Sequence, residues 1–361
     1  MNKVHILTFH NALNYGAILQ CYALYTKINE FMSCDVIDYR ANAIENRYKI
    51  FKQNQGLIDF AKSVFMKKRN YIKRKKFLAF IKNNITTTTP FYNFDELKNH
   101  NWSSKDIFCV GSDQVWNWEL TKNDKAFTLA FAPAFSRKFS YAASIGLKID
   151  SLHGEKIKKM TQNFSGISVR ESSAAKSLNE FGILCTRCID PVFLLDKEDW
   201  IKITHPNRNE DIPYVLMYLL QKDPILANSA MEYAKTHHMR LVIMSTGIKK
   251  EFDAEYVVDC SPDEFVRYFY KANTIFTNSF HGISFSILFN KKFYFGYQGN
   301  AVKTNSRLQD VINIFHLQSQ NIAESYPLSQ DIDYIYIEKV ICSERDRAVE
   351  FILENINDKE A

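Results

Sequence analysis

The stretch Thr274–Phe295, TIFTNSFHGISFSILFNKKFYF, sets two apolar runs on either side of a short polar insert. Ile275-Phe276-Thr277 reads as a buried strand, Asn278-Ser279-Phe280-His281-Gly282 as a tight turn, Ile283 to Phe289 as the first turns of an apolar helix, and Lys292 to Phe295 as the next strand. Strand, turn, helix and strand in succession make the unit of an open parallel sheet, where ligands sit beyond the carboxyl ends of the strands. His281 is thereby expected at a helix N-terminus beside a crevice. Backbone N–H groups and the helix dipole there attract anions and disfavour an imidazolium, so His281 should hold a proton well only with an anion beside it.

The same grammar recurs on both sides of this stretch. Val4 to Phe9 predicts a strand, His10 to Gly16 a loop, Ala17 to Phe31 a helix and Cys34 to Tyr39 a second strand. This opening is Rossmann-like but lacks GxGxxG, which argues against a dinucleotide. Asn14, Tyr15 and Gly16 form the candidate ligand loop, with backbone amides for an anion or a sugar hydroxyl; a plain strand-to-helix turn is the alternative. Asp106 to Val110 predicts another strand, left by Gly111-Ser112-Asp113-Gln114-Val115-Trp116-Asn117. Carboxylate and amide groups here suit sugar hydroxyls, and the indole suits the apolar face of a sugar ring. A strand over Phe139 to Ile145 and a helix from Gly154 lead to the short strand Ile167 to Val169, which ends in Arg170. The planar guanidinium of Arg170 favours an anionic substrate, the alternative being a salt bridge to Glu171 or another surface acid. Asp196 to Asp211 is polar and broken by Pro206, so a domain boundary is expected there. Beyond it come the strands Tyr214 to Leu219, Leu241 to Ser245 and Tyr256 to Val258, the helix Pro224 to His238, and a capping box at Ser261 to Glu264 that opens a helix to Lys271. Lys303, Arg307, Leu308, Val311, Ile312 and Phe315 suggest a helix with a cationic start, and Glu344 to Asn355 a terminal helix.

Composition bounds the function. The chain of 361 residues has room for about two domains. Its 28 Phe and 19 Tyr fit both large interiors and stacking surfaces. The net charge of +6 is concentrated: Lys62 to Lys82 carries nine Lys or Arg and no acid. Interleaved Phe60, Val64, Phe65, Tyr71, Ile72, Phe77, Leu78, Phe80 and Ile81 give this helical segment a greasy face and a basic one. It is therefore a candidate for contact with an anionic membrane surface, beside the simpler reading of a solvated helix face. No recognition motif accompanies the charge, so nucleic acid is not expected. No secretory leader and no run of ~20 apolar residues is visible, and the seven scattered cysteines suit a reducing compartment, so a cytoplasmic protein is expected. Cys185 and Cys188 form a lone CxxC, read as core or turn residues, and no metal is expected.

Six motifs agree in order: NYGAILQCYAL at 14–24, VGSDQVWN at 110–117, SYAASIG at 140–146, SVRE at 168–171, DPVFLL at 190–195 and TNSFHGISFSILFNKKF at 277–293. Together they resemble the polysaccharide pyruvyl transferase family from about residue 14 to about residue 315. The resemblance implies an α/β fold of two Rossmann-like domains facing a cleft, in the glycosyltransferase B manner. On that reading residues 1–200 form the acceptor-side domain with a helical basic insertion at about 43–100. Residues 211–340 then form the donor-side domain, and 341–361 a helix that packs back on the first domain.

The resemblance also implies transfer of the pyruvyl group of phosphoenolpyruvate onto two sugar hydroxyls as a cyclic ketal, in capsular or exopolysaccharide synthesis, with no further cofactor. Phosphoenolpyruvate carries a carboxylate and a phosphate on three carbons, so its site needs several donors. Arg170, the Asn278 to Gly282 turn, Lys303 and Arg307 are the candidates. His281 would protonate the enol carbon. Asp113 or Asp190 would take a hydroxyl proton, while Asn14, Tyr15, Gly16, Ser112, Gln114, Trp116 and Asn117 would hold the acceptor. A lipid-diphosphate-linked hexose is the expected acceptor, with residues 62–82 near its carrier. Many family members have arginine where this chain has Ser279, so Arg307 or Lys303 would replace that cation. Arg170→Ala and His281→Ala are expected to abolish phosphate release with the fold intact. The rival classes are a glycosyltransferase using a nucleotide sugar and a non-catalytic saccharide-binding protein.

Overall fold

The structure, a computed structural model, describes residues 2–41, 43–45, 57–205, 212–244, 251–298, 302–323 and 331–357, without the side chains of 57–68 and 302–304. The chain divides into two compact units: Met1–Lys68, Phe77–Leu195 and Ser343–Ala361 form the first, Arg69–Lys76 and Asp196–Cys342 the second.

Six strands make the sheet of the first unit: β1 (Val4–Leu7), β2 (Cys34–Val36), β3 (Ile107–Val110), β4 (Arg137–Ala143), β5 (Gly166–Val169) and β6 (Thr186–Arg187). Their order is β2-β1-β3-β4-β5-β6 and every pairing is parallel. VHIL of β1 and IFCV of β3 are buried at every position, as strands covered on both faces of a parallel sheet must be. Winding reverses between β1 and β3, which makes the carboxyl ends of these two strands the switch point, the place where open parallel sheets bind their ligands. The helix after β1, Tyr15–Asn29, begins earlier than its apolar period predicts because Asn14 caps it, accepting the N–H of Gly16 at 2.9 Å and of Ala17 at 3.4 Å. At the end of β3, Gly111 has φ 118°, and a Cβ there would stand 2.3 Å from the carbonyl oxygen of Tyr141. Only glycine fits, and β4 bulges beside it between Ser140 and Ala143.

The second unit has β7 (Tyr214–Tyr218), β8 (Arg240–Met244), β9 (Glu255–Val257), β10 (Thr274–Thr277) and β11 (Lys292–Phe295) in the order β11-β10-β7-β8-β9, again all parallel. Its switch point lies between β7 and β10. The helix after β10 runs Phe280–Leu288, starting at Phe280 and not at Ile283, because the Ser279 hydroxyl accepts the N–H of Gly282 as a cap. His281 and Gly282 therefore belong to the first helical turn. The expected capping box at Ser261 and Glu264 opens the helix Pro262–Lys271. Ser245 and the polar segment around Pro206 lie outside the described residues.

The basic segment is one helix, Leu57–Asn84. Phe77 and Phe80 are buried, their rings 5.1 Å from Tyr15 and 5.6 Å from Tyr22, and Ile81 is buried beside them. Tyr71 and Leu78, expected on the same greasy face, are instead 63% and 41% exposed. They fall seven residues apart, on a face about a third of a turn from Phe77 and half a turn from Phe80. Side chains of Phe60, Val64 and Phe65 are outside the described set. In the last helix, Tyr334–Ile356, the residues from Ser343 onward belong to the first unit, where Arg345 donates to the carbonyls of Phe193 at 2.9 Å and Leu195 at 3.1 Å. Among the described residues no helix is long and apolar enough to cross a membrane.

Candidate active site

In the first unit Thr8 and Arg170 directly follow β1 and β5, and Ser112 and Asp113 lie two and three residues beyond the end of β3. Arg170 is buried at the carboxyl end of β5, with Nη1 3.1 Å from Oδ2 of Asp190 and Nη2 donating to the hydroxyl of Ser112. Its ion-pair partner is thus Asp190, not Glu171, whose carboxylate accepts from the Ser144 hydroxyl and the Ile145 N–H. Asp190 also accepts the N–H of Val192 at 3.0 Å and opens the 3-10 turn Pro191–Leu194. A carboxylate enclosed in this way is poorly placed to take a substrate proton. Asp113 differs: it is half-buried beyond the carboxyl end of β3, with φ 67°, and its Oδ1 accepts the N–H of Gln114 at 2.8 Å. Of the two acids, Asp113 is the more exposed.

In the second unit the equivalent point is built around Asn278 and Ser279. The Asn278 carboxamide accepts the N–H of Leu220 at 2.8 Å and donates to the carbonyl of Gln221 at 2.9 Å, tying the exit of β7 to that of β10. The Asn278 carbonyl accepts from the side chain of Gln298 at 2.7 Å, which brings in the exit of β11. Ser279 is a buried cap whose N–H donates to the hydroxyl of Thr277 at 3.1 Å, and that hydroxyl donates to the carbonyl of Tyr218 at 2.7 Å. On this scaffold His281 stands half-buried in the first turn, its ring edge-on to Phe280 at 5.0 Å.

Known proteins share both the motifs and the fold that build this geometry. The sequence model of the polysaccharide pyruvyl transferase family matches residues 14–295. The chain belongs to that family. Among curated proteins none matches at the sequence level. Of solved structures, the UDP-GlcNAc 2-epimerase of Neisseria meningitidis, bound to UDP-GlcNAc, has 13% identity and a TM-score of 0.51 over 98% of this chain and 100% of its own. The UDP-GlcNAc 2-epimerase of Methanocaldococcus jannaschii has 11% identity and a TM-score of 0.50 over 94% and 92%. At such identities the likeness concerns the fold, which is the α/β, glycosyltransferase B-like one that the motifs imply.

For a polysaccharide pyruvyl transferase family member, several side chains expected at the ligand are engaged elsewhere. Trp116 is 5% exposed, sits in the apolar core and donates its indole N–H to the carbonyl of Phe127 at 3.1 Å, so it offers no stacking face. Asn117 caps the short helix Trp118–Thr121 and donates to Gln114 at 2.8 Å. Ser112 is fully buried against Arg170, and the amides of Gly16 and Gly282 already serve the caps Asn14 and Ser279. In each case a polar side chain at an element end satisfies the backbone first. Tyr15 is buried in the first turn of its helix. Arg307 is half-buried on the helix Val302–Ile314, and the Lys303 side chain is outside the described set. Cys185 and Cys188 are core residues whose thiols burial pushes up to about 12 and about 11.

Sequence reasoning missed a second tier. His10, buried after β1, places Nε2 3.0 Å from Asp38, which Arg40 also grips at 2.9 Å. Burial alone would raise the Asp38 carboxyl, but the bonds from His10 and Arg40 outweigh it and hold it down to about 2. Trp118, not Trp116, is the partly accessible indole of its loop, and it stacks on His153 at 3.7 Å. The one available signal was polar residues set directly after apolar strands, as in Thr8 and His10.

Proposed function

We propose that the chain transfers the pyruvyl group of phosphoenolpyruvate onto two hydroxyls of a sugar, forming a cyclic ketal in capsular or exopolysaccharide synthesis. Membership of the family supports the reaction class, and the observation that carries the assignment of roles is the contrast between Asp113, open at its strand end, and Asp190, enclosed by Arg170. His281 gives a proton to C3 of the donor, and the first hydroxyl attacks C2 as Asp113 accepts its proton. Phosphate leaves the tetrahedral adduct. The second hydroxyl then closes the ring on C2, its proton leaving with the phosphate or to solvent. Arg170 acts from behind the loop, steadying Ser112. Arg307 or Lys303 supplies the cation that many relatives place at the Ser279 position. No resident cofactor is required.

The acceptor we propose is a lipid-diphosphate-linked sugar at the cytoplasmic membrane face. Tyr71, Arg74, Lys75, Leu78 and Lys82 share the exposed face of the basic helix, mixing cations with an aromatic and an aliphatic side chain as interfacial helices do.

Incubation with phosphoenolpyruvate and a panel of lipid-linked and nucleotide-linked sugars tests the reading. A product heavier by one pyruvyl group, with phosphate released, is expected, and both should vanish in His281→Ala and Asp113→Asn. Tight binding of a nucleoside diphosphate with no pyruvyl transfer would instead favour a glycosyltransferase.

A further inference from the structure

The loop that presents Asp113 is fixed by hydrogen bonds on both sides of that residue. Asp113 has φ 67°, the left-handed region, which few non-glycine residues enter and aspartate enters more readily than most. Two N–H groups, from Val115 and Ser144, hold the Asp113 carbonyl at 2.8 Å each. The peptide before it is held by a side chain: the Thr8 hydroxyl donates to the carbonyl of Ser112 at 2.9 Å, across the β1/β3 switch point. A hydroxyl has one proton and can place it in several directions. Gln20 removes that choice, because its Nε2 donates to Thr8 Oγ1 at 3.0 Å and occupies the acceptor side.

Gln20 itself is unfavourable where it lies. It is fully buried, its Nε2 also meets the carbonyl of Ala17 at 2.7 Å, and its Oε1 has no hydrogen-bond partner among the described residues. A buried amide oxygen left unpaired is worse for stability than an aliphatic side chain of the same size. Stability therefore gives no reason for an amide at this position, whereas orienting Thr8 does. We infer that Thr8 and Gln20 are positioning residues, which lock the Ser112 carbonyl and so hold the Asp113 carboxylate in place for the acceptor. This rests on the reading of Asp113 as the base.

The variants Thr8→Val, Thr8→Ser and Gln20→Leu separate positioning from plain structural support. Thr8→Val and Gln20→Leu should lower kcat on the order of tenfold to a hundredfold, the effect of a misplaced catalytic group, with KM for phosphoenolpyruvate unchanged. Thr8→Ser should restore most of the rate. Gln20→Leu should melt no lower than the parent protein, since it removes an unpaired oxygen. Full kcat in Gln20→Leu and Thr8→Val, or equal loss in Thr8→Val and Thr8→Ser, overturns the inference. Asp113→Asn run alongside keeps the two readings apart: if it is inactive while Thr8→Val and Gln20→Leu are active, only the positioning role fails; if it is fully active, the base assignment fails. Crystal structures of Thr8→Val and Gln20→Leu give a reading that needs no substrate. The Ser112 carbonyl and the Asp113 carboxylate should shift from their parental positions in both, and unmoved positions in both overturn the proposal.

Discussion

Gly282 packs against Thr277 so closely that a Cβ on the glycine would stand 2.3 Å from the threonine Oγ1. The first turn of the helix carrying His281 is thus pressed onto the last residue of its strand. Thr277 cannot retreat, since its hydroxyl holds both the Tyr218 carbonyl and the Ser279 N–H. Gly282→Ala should therefore destabilise the protein by about 1–3 kcal/mol, the usual range for an overpacked core. Urea unfolding measures this, and turnover should fall by more than stability does because His281 moves with the turn. An alanine variant of parental stability and rate would refute the tight fit.

The buried pair Arg170–Asp190 adds a cost to the expected loss of activity: Arg170→Ala should also lower stability. Removing either partner strands a charge, and such losses run to about 3–5 kcal/mol. The double variant Arg170→Met, Asp190→Leu should lose less than the sum of the two single changes, which denaturant titration of all three will show.

Lys73 is buried, and burial lowers its amine from the ordinary 10.5 to about 8. Its folded value lies below its unfolded one, so below about pH 8 the folded state carries a penalty that the unfolded chain lacks. That penalty declines as pH rises from about 8 toward 10.5. Lys73→Met should therefore raise stability near neutral pH by up to about 3 kcal/mol, and the gain should shrink across that window. Melting curves of both proteins between pH 7 and 10 check the sign. A gain that grows with pH would contradict it.

The basic helix gives a further test, because its cations are not equivalent. Lys76 is paired with Glu264 at 2.9 Å and Lys73 is buried, whereas Arg74, Lys75 and Lys82 are exposed. Replacing those three with Gln should weaken binding to vesicles containing anionic lipid, by about 1 kcal/mol per charge at low salt. Lys76→Gln should leave binding nearly unchanged. Equal partitioning of the triple variant and the parent in vesicle sedimentation would remove the membrane contact.

Much of the fold was legible in the chain because parallel strands buried on both faces are written as continuous apolar runs. VHIL, IFCV and KFYF needed no context, and the box at Ser261 and Glu264 announced its helix locally. Arg170 and His281 could likewise be placed at strand ends by counting. Helix starts were read late at Tyr15 and Phe280, since a cap is a bond to backbone that apolar periodicity does not record.

The order of residues was enough for the alternation of strands and helices, for the family and for the set of polar residues at the carboxyl ends of the strands, all of which depend on neighbours along the chain. Which of those residues a ligand can meet came from the folded arrangement. Trp116 and Trp118 stand two residues apart, yet one is core and the other partly accessible. Asp113 and Asp190 are the same acid, yet it is Asp190 that the Arg170 guanidinium encloses. Partners such as Thr8 and Ser112, or Arg170 and Asp190, meet across strands distant in sequence, and burial and pairing between such residues are set by packing, which no local pattern encodes.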